Sequence, residues 1–172
     1  MDSKTTKQTI QYNGSVNIKV LNGTKVVKTA KTHNSGTSWL FQVLASAVIG
    51  SNETNNMPKY LDVFENIGTT ESVTLQSIIS NPVPLTSKHI EKDSDTNDGW
   101  VASFTAIIPY RSIKSGGDHV IYCLRLYSTA GNETTQIAEV KPSDITINRD
   151  NRSNLAVEWR MLFSNPTISG GN

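Results

Sequence analysis

Three histidines, one cysteine and one aspartate-rich loop are the groups through which this chain could do chemistry. His33, His89 and His119 lie in three separate regions, with no i, i+4 pair and no HExxH run. A zinc centre wants ligands presented together on one element or on closely spaced turns. These three read instead as turn and surface groups, with His33 placed to hydrogen-bond the junction His33–Thr37. Cys123 is a lone thiol inside an apolar run. It can form no internal disulfide and build no zinc site alone, so it reads as a small buried hydrophobe.

The loop Asp93–Gly99 (DSDTNDG) begins like a calcium loop, with Asp93, Asp95 and Asn97 at alternate positions. The pattern fails where it is strictest. The sixth position is Asp98 where glycine is required, and the twelfth is Phe104 where a bidentate carboxylate is required. An exposed turn is the expected reading, with a weak, incomplete calcium site as the alternative. Glu71, Glu91, Glu133, Glu139 and Glu158 sit in polar contexts with no pairing that marks acid/base catalysis, and no Gly-x-Ser-x-Gly or phosphate-cradling loop occurs. The expectation is a non-enzymatic protein with no catalytic residue, no metal and no cofactor.

Aromatic residues are the remaining candidates. Trp100 and Trp159 alternate in phase with aliphatic neighbours, the pattern of a core. Tyr110 and Tyr127 fall near strand ends and are expected to be exposed, as partner contacts or as a sugar-stacking platform. Trp39 and Phe41 open an apolar segment and are expected either in the core or against another subunit. The candidate partner-contact residues are therefore Trp39, Phe41, Tyr110 and Tyr127.

The elements that must position these groups are mostly strands. At 172 residues, 36% hydrophobic and 18% charged, the chain is long enough for one domain and is filled out with Ser, Thr and Asn. Val16, Ile18 and Val20 alternate with Asn17 and Lys19, and Asn22-Gly23 supplies a tight hairpin turn. Further strands are expected near 24–32, 59–64, 72–79, 100–108, 119–128, 134–140, 145–147 and 154–164. Residues 86–99 read as an exposed loop or ragged hairpin tip. In the last strand Leu155, Val157, Trp159, Met161 and Phe163 share a face, opposite Glu158 and Arg160. One segment, Thr37–Ile49, has its apolar residues at helical spacing, with Ser35, Thr37 or Ser38 as a cap and Gly50 as a stop.

The expected fold is mainly β: an antiparallel β-sandwich or barrel-like domain with one α-helix inserted after the first hairpin, at about residues 37–49. A single domain should span 1–172, with polar tails at about 1–7 and 166–172. The net charge of +1, with scattered Lys and Arg, argues against nucleic acid as a partner. No apolar run is long enough to span a membrane, and no signal peptide stands at the amino terminus.

Two stretches carry a resemblance: Val26–Phe41 (VVKTAKTHNSGTSWLF) and Val157–Asn165 (VEWRMLFSN). A patterned first strand, a short turn, a Lys/Val strand, a His-Asn-x-Gly-Thr junction and an apolar segment ending in Gly resemble small virion proteins of tailed bacteriophages. The Ser/Thr/Asn-rich, Cys-poor composition is similar to that of tail and head-surface components. The resemblance implies a structural, tail-associated virion protein that forms a homo-oligomer and contacts other virion proteins. It transfers no catalytic residue. The alternatives are a head-decoration protein or a carbohydrate-binding module for host attachment, with a glycan as partner.

Overall fold

A computed structural model describes residues 11–34, 57–94, 99–128 and 136–164. The expected helix over 37–49, with Trp39 and Phe41, lies outside the described residues, as do both tails. Among the described residues the chain is almost entirely antiparallel β, with a single 3-10 turn at Tyr110–Ser112.

Three long strands form the frame: β1 (Gln11–Asn22), β7 (Gly99–Ile108) and β12 (Ser153–Ser164). They belong to a five-stranded sheet of order β2-β1-β12-β7-β6, with β2 (Lys25–Asn34) and β6 (Ser87–Lys92) at its edges. The second sheet has the order β10-β9-β3-β4, built from β10 (Gln136–Val140), β9 (Cys123–Tyr127), β3 (Tyr60–Asn66) and β4 (Leu75–Ser77). The two residues of β5 (Val83–Pro84) also pair with β3. Proline lacks the donor an interior strand needs, so this short pairing suits it. A two-stranded ribbon pairs β8 (Asp118–Val120) with β11 (Thr146–Asn148).

The first hairpin forms at the predicted place, with its turn at Gly23-Thr24, one position later than the expected Asn22-Gly23. Asn22 pairs with Lys25, and Gly23 takes φ 61° in the two-residue turn. A positive φ at the first turn residue matches the twist of the flanking strands, and glycine adopts it without a steric penalty.

The two large sheets share one apolar core. Val16, Ile18 and Val20 of β1, and Leu155, Val157, Trp159 and Met161 of β12, meet Leu61, Val63, Leu124, Leu126, Ile137 and Val140 from the second sheet. Trp159 is completely buried at the centre. Among the described residues its indole N–H has no acceptor. An unmade hydrogen bond costs about 1–3 kcal/mol. Burying a large aromatic contributes roughly 4–6 kcal/mol by area, so the ring still stabilises the core.

Two expectations change here. Residues 119–128 are not one strand. Ile121 donates its N–H to Ile145 and Tyr122 donates to Phe64, so the chain leaves the ribbon and joins the second sheet within two residues. Val120 therefore points to solvent and is not in phase with Leu124. Residues 87–92 form an exposed strand antiparallel to β7, so the loop alternative for 86–99 gives way to the hairpin one.

Trp100 is the larger correction. It lies on the core-facing side of β7, as its alternation predicts, yet it is 58% exposed. Its cross-strand partner is Phe163, and Phe163 is paired in turn with Tyr12. This row comes two residues beyond Met161, the last fully buried residue of β12. Alternation reports which face a side chain occupies, and it does not report where the opposing sheet stops. Trp159→Ala should therefore cost roughly 3–5 kcal/mol in urea denaturation, whereas Trp100→Ala should change stability by less than about 0.5 kcal/mol.

Candidate functional site

Three places concentrate side chains that could act: the outward face of the second sheet, the end of the core row at Trp100, and the outward face of the first sheet.

On the second sheet, cross-strand pairing sets Asp62 beside Arg125 and Arg125 beside Glu139. Each group is already engaged. Asp62 Oδ1 accepts from Ser77 Oγ at 2.7 Å and from the Val63 N–H at 2.7 Å. Arg125 Nε donates to Glu139 Oε2 at 2.7 Å, and its guanidinium lies 5.0 Å from the centre of the Phe64 ring. Lys114 Nζ donates to the Ser77 carbonyl at 2.7 Å. Burial raises the Asp62 pKa above the ordinary carboxylate value, against the hydrogen bonds from Ser77 and Val63. Burial, reinforced by the charge on Glu139, pushes the Cys123 thiol up to about 11.

His119 is buried, not the surface group its sequence context implies. Its Nδ1 lies 2.9 Å from Glu65 Oε2 and its Nε2 lies 3.0 Å from the Lys114 carbonyl. Glu65 is the next inward position of β3 after Val63, so His119 ties off a carboxylate where the apolar core ends. A ring with both nitrogens occupied is a strut between β3, β8 and the loop at Lys114. Among the described residues no group of three or more His, Cys, Asp or Glu is placed to hold a metal ion.

Of the four aromatic candidates, Tyr110 and Tyr127 are among the described residues. Trp39 and Phe41 lie outside the described residues. Tyr110 sits partly exposed on the 3-10 turn. Its hydroxyl accepts from Arg111 Nε at 3.1 Å, and that hydrogen bond lowers its pKa. Tyr127 is 8% exposed, hydrogen-bonded to Arg125, and shifted to higher pKa by burial. The expectation of an exposed Tyr127 is therefore corrected. It closes β9 between Tyr60 and Gln136 and offers no stacking face.

The sequence hid a different aromatic group. Trp100, Phe163 and Tyr12 occupy one row across β7, β12 and β1, with the Tyr12 and Phe163 rings 5.7 Å apart. Ile90, 69% exposed, pairs with Ala102 one row inward. Phe104 and Ala102 are only partly buried against the core. An apolar surface thus emerges from the core at one end of the first sheet, flanked by Lys92, which pairs with Trp100. The missed signal was positional: β1 and β12 outlast the short strands facing them.

No family model matches the chain, and no curated protein and no solved structure is significantly similar to it.

Two tests follow from the buried groups. The folded pKa of Asp62 lies above the unfolded value, so between the two the folded state holds more protons. Stability attributable to this residue therefore falls as pH rises through that window. Asp62→Asn should be at least as stable as the wild type at neutral pH. In urea titrations that advantage should shrink as the pH falls from the raised folded value to the ordinary carboxylate value, and should change no further below it. Cys123 should react with a disulfide reagent only after denaturation, because the thiolate is the nucleophile and burial suppresses it; rapid labelling of the native protein would contradict its placement.

Proposed function

We propose that this protein is a non-enzymatic structural component that works by association, and that the aromatic end of its first sheet is the contact surface. The observation that carries this is the exposure of Trp100 and Ile90 beside the partly covered Phe163 and Tyr12. Large apolar groups gathered on one surface are stabilised when a partner covers them, and aromatic residues dominate the energetic centres of interfaces.

The strand edges favour this end over edge-to-edge pairing. Among the described residues β2 and β6 are the edges of the first sheet; β2 carries Lys25, Lys28 and Lys31, and β6 carries Lys88 and Lys92. Lysines on an edge oppose the addition of another strand. The ionisable clusters support a structural rather than a catalytic role. His119, Asp62, Arg125 and Glu139 are spent on one another or on the backbone, and the Cys123 thiol is held protonated.

The setting we infer is the particle of a tailed bacteriophage, with the protein tail-associated and in contact with copies of itself and with other virion proteins. That part rests on the resemblance of Val26–Phe41 and Val157–Asn165. Its alternative within the particle is head decoration.

Sedimentation of the wild type should show a concentration-dependent oligomer. Trp100→Ser combined with Ile90→Lys should return it to monomer with its folded stability unchanged. A wild type that stays monomeric at high concentration and binds no particle component would overturn the reading.

A further inference from the structure

The outward face of the first sheet holds a cavity of about 250 Å³ lined by Asn13, Ser15, Lys31, His33, Asp93, Val101, Arg160 and Leu162. Strand register explains its composition. His33, Ser15 and Arg160 are successive partners across β2, β1 and β12. Asn13, Leu162 and Val101 are successive partners across β1, β12 and β7. Leu162 and Val101 therefore make an apolar floor, with cationic side chains along one wall. Asp93 closes the opposite wall, where the hairpin of β6 and β7 is pinned by the Asp93 N–H donating to the Gly99 carbonyl at 2.8 Å.

We propose that this cavity binds a sugar ring that carries a carboxylate, within an acidic saccharide. The chemistry selects that class. Arg160 presents donors in a fork that matches a carboxylate. Its Nη2 is 3.3 Å from Glu91 Oε1, but both side chains are about 40% or more exposed, and such an exposed pair is worth little. A ligand carboxylate can displace it at small cost. Asn13 and Ser15 supply donors and acceptors for hydroxyl groups. Leu162 and Val101 suit the C–H face of a pyranose. A surface that tracks phosphates is uniformly basic. The apolar floor of Leu162 and Val101 disfavours that ligand. The volume falls below the roughly 300–1,000 Å³ of sites for drug-sized molecules, which limits occupancy to about one ring.

This site stands apart from the association surface, which lies on the opposite face of the same sheet. The glycan expectation is thereby moved from Tyr110 and Tyr127 to residues that no aromatic pattern marks.

Trigalacturonate and sialyllactose would be titrated into the full chain, with galactotriose, lactose and inorganic phosphate as comparisons. Methyl NMR signals of Leu162 and Val101 report occupancy in the wild type, and calorimetry reports affinity. At least one acidic sugar should bind saturably and move both methyl signals, while the neutral sugars and phosphate do not. Arg160→Gln should weaken binding by about ten-fold or more, and Trp100→Ser should leave it unchanged. Binding of neither acidic sugar, equal binding of the neutral sugars, displacement by phosphate alone, or indifference to Arg160→Gln would each overturn the proposal.

Discussion

The structure depends on the pairing of β12 with β1 on one side and β7 on the other. All twelve residues of β12 are registered against β1, and ten of them against β7. Because side chains alternate, a slip of one residue would exchange the two faces of the strand. Leu155, Val157, Trp159 and Met161 would then meet water, and Glu158 and Arg160 would enter the core. Exposing the fully buried Trp159 makes that exchange costly. Register here follows from hydrophobic patterning, with the hairpin at Gly23 bringing β2 alongside.

The same register generates both surfaces to which function is assigned. The inward row runs from Leu155 through Trp159 to Phe163, and it outlasts the opposing sheet. Its last members emerge as an aromatic surface shared by three strands. The outward row sets Arg160 and Leu162 between the polar residues of β1 and the hairpin of β6 and β7, and that juxtaposition forms the cavity. One continuous strand therefore contributes to an apolar surface on one face and a charged pocket on the other.

Much of the frame was legible in the residues. Strict alternation over 154–164 and 16–20, and Asn22-Gly23 between two strands, correspond to β12, β1 and the first hairpin. Cys123 is the buried hydrophobe that its apolar run implies. The misreadings share a physical cause. Alternation places Trp100 on the inward side, but exposure there depends on how far the second sheet reaches. His119 reads as a surface polar group because its partner, Glu65, is 54 residues away. Tyr127 looks exposed at a strand end, but Tyr60 and Arg125 close around it. The cavity is invisible in sequence because its residues come from β1, β2, β7, β12 and the turn after β6, joined only by register.

The central claim is that the aromatic end becomes covered on association while the core beneath it stays as it is. Hydroxyl-radical footprinting of the wild type, dilute and then assembled, tests this directly. The account predicts strong protection of Trp100, with weaker protection at Phe163 and Tyr12, and Trp159 unreactive in both states. Trp100 oxidised to the same extent in the assembled and dilute protein would contradict it.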